Sequence, residues 1–480
     1  MQIHEVDVVV VGLGPGGEDA AGALAEAGLR VVGIESHLVG GECPYYGCIP
    51  SKMIIRAADL IAETRRANTM AGTTTVEPDY SIVAARIRDE ATDDWNDQVA
   101  VDRLVGKGAI FVHGRGVFDG PGRVVVGDDV YVAARGVIVA TGTSPGIPDI
   151  PGLAEARPWT NREIVKVETA PSSMIVLGGG AIGLELAQAF SRFGTKVTII
   201  EATDRILGPE EPESSELLRK VLESEGIDIR VGAGVSSVSR ADRLDGAGAG
   251  ADVGVGVGVG VYRPAGAVTV TLDDGSNVVA AEILVAAGRT PNVRGIGLDT
   301  IGLDETARPT FVVDEHMRVS GADKLWAIGD IAGKGAFTHM AMYESGIAVD
   351  DILGVESPRV GQFHAVSRVT FTDPEVGSVG MTEKQARDAG IDVHVSVVDS
   401  AKSSRGWIHG EGNTGLMKLV ADADKGILVG ATTIGPRGGE LLALFNLAVH
   451  ARVPIAQLRS MIYAYPTFYR GALDALAELD

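Results

Sequence analysis

The chain opens with a β-branched apolar run, Val6 to Val11, broken only by Asp7, which flows into a glycine turn at Gly12, Gly14 and Gly17. An alanine-rich stretch follows, stopped by Gly28, and a second apolar run ends on an acid, Glu35. Short apolar runs bounded by glycine read as buried parallel strands, and the stretch between them as the helix that carries the chain back. From Ser173 the plan repeats: an apolar run, glycines at Gly178, Gly180 and Gly183, a helix stop at Gly194 and an acid at Glu201. The offset is 166 residues at all five positions, from 178 − 12 to 201 − 35.

Each position has a physical reason. The first glycine makes the tight strand-to-helix turn, the second lets the backbone approach a pyrophosphate, and the third allows close helix–strand packing. The helix N-terminus offers unpaired N–H groups and its positive dipole end to the phosphates, and the acid accepts hydrogen bonds from a ribose. A lone G-x-G-x-x-G is weak evidence; two copies with the same surroundings predict two dinucleotides in two domains. Glu201 suits the 2′-hydroxyl of NAD and repels the 2′-phosphate of NADP, although Arg205 lies close enough in sequence to soften that preference.

Composition narrows the class. At 480 residues the chain is about three domains long, with 22% charged and 45% apolar side chains, as in a globular enzyme or binding protein. Lysine and arginine total 42 against 64 acids, a net charge of −22 with no basic cluster, so neither nucleic acid nor an anionic membrane is an expected partner. No apolar run approaches the roughly 18 to 20 residues that span a bilayer. Glu5 and Asp7 stand where a signal peptide carries positive charge, so a cytoplasmic location is expected. The two cysteines, Cys43 and Cys48, both lie in "GGECPYYGCIPSK", and in a reducing compartment such a close pair points to redox or metal chemistry. C-x4-C is wider than the usual zinc spacing, and no second Cys/His cluster supplies further ligands, so no metal is expected.

Two fingerprints plus C-x4-C resemble the pyridine nucleotide–disulfide oxidoreductases, the group of dihydrolipoamide dehydrogenase, glutathione reductase and mercuric reductase. The likeness runs nearly end to end through "VIVATG" (Val137 to Gly142), "GGGAIGLE" (Gly178 to Glu185), "AAGRTPN" (Ala286 to Asn292), "LWAIGD" (Leu325 to Asp330), "FTHMAMYESG" (Phe337 to Gly346) and "FTDPEVGSVG" (Phe371 to Gly380). The resemblance implies an α/β fold with two Rossmann-like dinucleotide-binding domains and a C-terminal α+β interface domain that makes a homodimer. The implied boundaries are 1–150 for FAD, completed by about 290–355; 151–289 for NAD(P); and 356–480 for the interface. A Gly/Val-rich insertion, 246–267, falls where the family has a β-meander; it reads as an enlarged hairpin or flexible loop.

The resemblance also implies roles. FAD would be held by Gly12, Gly14, Gly17, Glu35, Gly41, Lys52, Thr141, Gly142, Asp330 and Thr338. NAD, favoured over NADP, would be held by Gly178, Gly180, Gly183 and Glu201, with Gly288 and Arg289 closing that domain. Cys48 resembles the thiol that faces the flavin, and Cys43 the interchange thiol that meets substrate. If a helix begins at Cys48, Lys52 shares its face one turn on. Lys52 would stabilise negative charge there, held by Glu185.

The family's second half-site is a C-terminal H-P-T-x-x-E supplied by the partner subunit, whose histidine takes and returns a thiol proton and whose glutamate orients it. This chain reads "YAYPTFYRG", with Tyr465 at the histidine position and Arg470 at the glutamate position. A phenol of pKa about 10 is a poor base near pH 7, and Glu42 beside Cys43 is expected to oppose a thiolate there. Arg470 is open to three readings: compensation of that thiolate, binding of an anionic substrate, or an ordinary surface arginine. Mercuric reductase shares the tyrosine but needs extra C-terminal thiols, which this chain lacks. Glutathione reductase is disfavoured by Glu201 and the missing histidine. Soluble transhydrogenases share Y-P-T but have an incomplete disulfide. The expectation is a dihydrolipoamide dehydrogenase-like FAD enzyme acting on a small disulfide or dithiol. The alternatives are a quinone or metal-ion acceptor and, in another class, a flavoprotein assembly subunit with little turnover.

Overall fold

The computed structural model describes residues 2–241, 266–304 and 310–479, so the Gly/Val-rich insertion lies outside the described residues except for Gly266 and Ala267. The chain divides into two compact units: Met1–Pro50, Arg88–Ser144 and Arg289–Phe363 form the first, and Ser51–Ile87, Pro145–Gly288 and His364–Asp480 the second.

In the first unit, the strands Ile110–His113, Val31–Glu35, Gln2–Val11 and Asp129–Val139 lie side by side in parallel, with Leu325–Ala327 parallel to the last. A sheet covered on both faces needs strands that are apolar throughout, and Val8, Val9 and Val10 are all fully buried. The strand Asp129–Val139 serves two partners in turn: its first half pairs antiparallel with Arg123–Val126, its second half parallel with Leu325–Ala327. The helices Pro15–Glu26 and Thr338–Leu353 approach so closely that a Cβ on Gly16 would stand 2.7 Å from Ala341 O.

The second unit carries a parallel sheet in the order Asp228–Arg230, Lys196–Ile200, Ser173–Leu177, Glu282–Val285. A meander, Val235–Arg240, Val268–Leu272 and Asn277–Ala280, accompanies it, and the insertion joins its first two strands. The C-terminal part is an antiparallel sheet ordered Ser367–Thr370, Glu375–Gly380, Ile427–Gly435, Leu416–Asp422, Val393–Asp399, with helix Gly438–His450 against it. Buried ion pairs tie these parts together. Lys418, 2% exposed, meets Glu211, Glu213 and Glu383 at 2.8–3.0 Å, and Arg192, 3% exposed, meets Asp59, Glu225 and Asp373 at 2.7–2.8 Å. Removing the shared cation of either cluster leaves its carboxylates facing one another uncompensated, a loss of about 3–5 kcal/mol. No helix of the described residues is long and apolar enough to cross a membrane.

Candidate active site

The internal repeat extends from sequence to hydrogen bonds. Gly12 (φ +94°) and Gly178 (φ +110°) take the same left-handed turn, and a Cβ on either would stand 2.5 or 2.4 Å from a backbone oxygen, of Ala140 or Ala286. A Cβ on Gly17 would meet Gly12 O at 2.0 Å, and one on Gly183 would meet Gly178 O at 2.3 Å. Gly14 and Gly180 face open space, with nothing within 4 Å of a Cβ. These open positions head the helices Pro15–Glu26 and Ala181–Arg192, where a pyrophosphate finds free N–H groups and the positive dipole end.

The acids repeat too. Glu35 accepts from Leu13 N at 2.7 Å and His37 N at 2.9 Å, and Glu201 accepts from Gly179 N and Thr203 N, both at 2.7 Å. Those N–H bonds outweigh burial at Glu201, holding its carboxyl below the ordinary range and charged at neutral pH. Arg205 donates to Leu207 O at 3.3 Å, Gly208 O at 2.5 Å and Ser215 Oγ at 2.8 Å. Its guanidinium is committed to its own loop.

The first unit fits FAD on observations of its own. Thr141 Oγ1 is buried without a protein partner, Gly142 (φ +61°) faces open space, and a Cβ on Gly41 would stand 2.8 Å from Gly14 Cα. The hydroxyl of Thr143, not anticipated from sequence, donates to Asp330 and accepts from Arg289 Nε at 2.6 Å. Arg289, expected at the close of the nicotinamide domain, stands at the boundary between the units, with its side chain on Thr143, 3.5 Å from Glu42 and 3.9 Å from Asp330. Gly288 (φ +118°), one residue earlier, belongs to the second unit.

Cys43 and Cys48 are both reduced thiols joined by a hydrogen bond, and Cys48 Sγ lies 3.4 Å from Thr338 Oγ1. The Cys43 thiol is pushed well up, first by its bond to Cys48 and next by burial. Glu42, next to Cys43 in the chain, lies 3.5 Å from Arg289. Cys48 begins the helix Cys48–Met70, whose first turn favours negative charge. One turn later on that helix Lys52 meets Glu185: Nζ lies 2.7 Å from Oε2, and Oε1 accepts from Phe371 N at 2.8 Å. Glu185 is 5% exposed, so both its oxygens are satisfied and the ammonium is fixed in direction. In the second unit Tyr465, 72% exposed, donates to Ser404 Oγ at 3.1 Å, and Arg470 pairs with Asp474 at 3.7 Å.

Sequence reading missed Glu344. It is fully buried on helix Thr338–Leu353; Oε2 accepts from Gly329 N at 2.6 Å and Oε1 has no protein partner. Burial first, then the Asp330 charge, lifts its carboxyl from 4.5 to about 8, against the bond from Gly329. A folded-state pKa above the unfolded one means that stability falls as pH rises from about 4.5 to about 8 and is level beyond. Glu344→Gln keeps an acceptor for Gly329. Its stability advantage over wild type in urea unfolding should grow from pH 5 to pH 8 by up to about 3 kcal/mol; an advantage independent of pH contradicts the titration.

Comparison with known proteins agrees with this geometry. The family profile described as pyridine nucleotide-disulphide oxidoreductase matches residues 6–345, and that family's dimerisation domain matches residues 366–475. A dihydrolipoyl dehydrogenase of Thermus scotoductus is 33% identical over 98% of this chain and 97% of its own length. That of Mycobacterium tuberculosis is 34% identical over 96% and 95%. A mercuric reductase of Bacillus cereus is 28% identical over 99% of this chain and 72% of its own. Among solved structures, the Cu(II) complex of the HOCl-induced flavoprotein disulfide reductase RclA from Escherichia coli matches with a TM-score of 0.83 at 24% identity. It covers 99% of this chain and 100% of that one, a likeness of fold. With matching profiles along most of its length, two glycine turns built to one plan and a paired dithiol, the chain belongs to the pyridine nucleotide–disulphide oxidoreductase family, whose members use FAD and NAD(P)H.

Proposed function

We propose that this enzyme moves electrons between NADH and a small disulfide or dithiol through Cys43 and Cys48. The observation that carries the reading is the hydrogen-bonded thiol pair with Cys48 heading the helix that also bears the Glu185-held Lys52. FAD, when bound, takes a hydride's two electrons from the nicotinamide and delivers them onward. Gly12, Gly14, Gly17, Glu35, Gly41, Thr141, Gly142, Asp330 and Thr338 would hold it, and Gly178, Gly180, Gly183, Glu201 and Gly288 the nicotinamide.

The residues' own work follows from their chemistry. Reduction of the Cys43–Cys48 bond takes two electrons and the one proton that a hydride carries, leaving a thiol at Cys43 and a thiolate at Cys48; the second proton comes from solvent to the last thiolate released. Cys48 keeps the negative charge at its helix N-terminus, and Lys52 offsets it from the next turn. Cys43, deprotonated, attacks the acceptor disulfide and expels a thiolate that takes up a proton. Cys48 then attacks Cys43, re-forming the internal bond and releasing the second thiol. Glu201 and the internally committed Arg205 support NADH over NADPH.

A second reading is favoured by Tyr465: with a phenol where the family has an imidazole, an acceptor that needs no proton base, such as a quinone or a metal ion, fits the half-site. The Cu(II) complex of RclA lends that reading a precedent in fold. The matched dimerisation domain and the exposure of Ile462 (97%) and Trp407 (79%) support a homodimer.

Anaerobic titration of the FAD-loaded protein tests the reading. Wild type should consume two equivalents of NADH per FAD and sediment at twice the 49.8 kDa chain mass. The Cys43→Ser/Cys48→Ser protein should consume one, and NADPH should bind at least about tenfold more weakly than NADH. One equivalent in wild type rules out the disulfide as an electron store.

A further inference from the structure

The residues that precede helix Gln98–Gly106 have a backbone unlike that of the other described residues. Asp93, Asp94 and Trp95 take φ values of +46°, +54° and +58°, three successive left-handed residues without a glycine. Among the described residues the other non-glycine positive φ values are isolated. Each such residue costs about 1–2 kcal/mol, so the run persists only if its surroundings impose it. What imposes it is local: Thr92, buried, accepts at its carbonyl from Asn96 N at 3.0 Å, and Asp94 N donates to Arg88 O at 2.8 Å.

The strained loop delivers two side chains to the cysteine segment. Trp95 Nε1 donates to Tyr45 O at 3.0 Å, and Asp97 Oδ2 accepts from Val39 N at 2.7 Å. These anchors bracket Cys43, four residues before it and two after. Between them lie Gly40 (φ +102°), Gly41 (φ +66°) and the four-residue helix Glu42–Tyr45 that carries the thiol. Val39 and Tyr45 are buried, so the anchors fasten the ends of the segment while its middle carries the reacting sulfur.

We infer that Trp95 and Asp97 are positioning residues that strap the Cys43 segment at both ends and so set how readily Cys43 leaves Cys48 for an acceptor. The inference rests on the disulfide reading above. Exchange requires Cys43 Sγ to bond alternately to Cys48 and to a substrate sulfur. The chain ends stay fixed while the short helix between them adjusts, so the strap biases the equilibrium between bonded and open thiols. A mere cap would satisfy Tyr45 O equally well with water and would leave that equilibrium alone.

The test uses FAD-loaded protein poised anaerobically in glutathione buffers, with the Cys43–Cys48 bond quantified by alkylation and peptide mass spectrometry. Trp95→Phe and Asp97→Ala should each shift the exchange equilibrium constant by about three- to tenfold, the equivalent of one hydrogen bond, and raise the alkylation rate of reduced Cys43. Asp97→Asn, which keeps an oxygen for Val39 N, should behave as wild type. Wild-type values in both Trp95→Phe and Asp97→Ala overturn the strap, and either variant alone suffices if the other does not fold. A wild-type protein in which Cys43 and Cys48 never bond overturns the disulfide reading itself, a result distinct from unshifted variants.

Discussion

Gly12→Ala should yield protein that purifies without FAD, and Gly178→Ala protein that keeps FAD but is no longer reduced by NADH. Both positions combine two penalties. A φ near +100° is strained for any residue with a Cβ, and the added carbon would stand 2.5 or 2.4 Å from a carbonyl oxygen on the neighbouring strand's exit. The obstructing atoms are backbone, which cannot turn aside as a side chain can, so the strand-to-helix turn itself must open and carry the helix N-terminus off the phosphates. A displacement of that kind should weaken binding at least about 100-fold, equivalent to about 3 kcal/mol. Gly28→Ala separates strain from collision, because Gly28 (φ +89°) has nothing within 4 Å of a Cβ; it should cost about 1 kcal/mol of stability and retain the flavin. Flavin absorbance and anaerobic NADH titration read both outcomes. Loss of FAD from Gly178→Ala, or its retention by Gly12→Ala, contradicts the assignment of one dinucleotide to each turn.

Those turns were legible because their constraints are local. A positive φ, a strand before it and an acid at fixed distance are set within some thirty residues, and the offset of 166 made the second copy its own control. What could not be read was direction across the fold. Arg289 follows Gly288 by one peptide bond, yet its side chain turns to Thr143, 146 residues away, and to Glu42. Arg205 looked available to a phosphate, but its donors close its own loop, which periodicity does not record. Glu344 lies in a stretch read only as one motif of the resemblance, and its burial alone reveals the unpartnered oxygen. Trp95 and Asp97 reach the cysteine segment through a left-handed run with no glycine to announce it. In every case but Arg205, tertiary contact overrode a local signal.

On the proposed reading the electron acceptor turns on Tyr465, and paired substitutions should decide it. Cys43→Ser is expected to abolish NADH-dependent turnover of lipoamide and small disulfides, by at least about 1000-fold, since serine cannot form the mixed disulfide that exchange requires. Tyr465→His should act in the opposite direction, raising lipoamide turnover by about 10- to 100-fold near pH 7.5. A positioned imidazole can take the Cys43 proton, whereas a phenol holds its own at that pH. The gain should fall short of the full contribution of a general base, about 100- to 10,000-fold. The tyrosine now hydrogen-bonds Ser404, and Arg470 pairs with Asp474, so an introduced histidine lacks the glutamate that orients it elsewhere in the family. Adding Arg470→Glu should recover part of the remainder. For a quinone or metal ion, by contrast, Tyr465→His should change turnover less than about twofold, because no thiol proton has to be moved. An acceptor screen over these variants with NADH therefore sorts the two readings. Turnover lost in Cys43→Ser and raised in Tyr465→His identifies a disulfide or dithiol substrate, and turnover indifferent to both identifies an acceptor reduced without the Cys43 thiol.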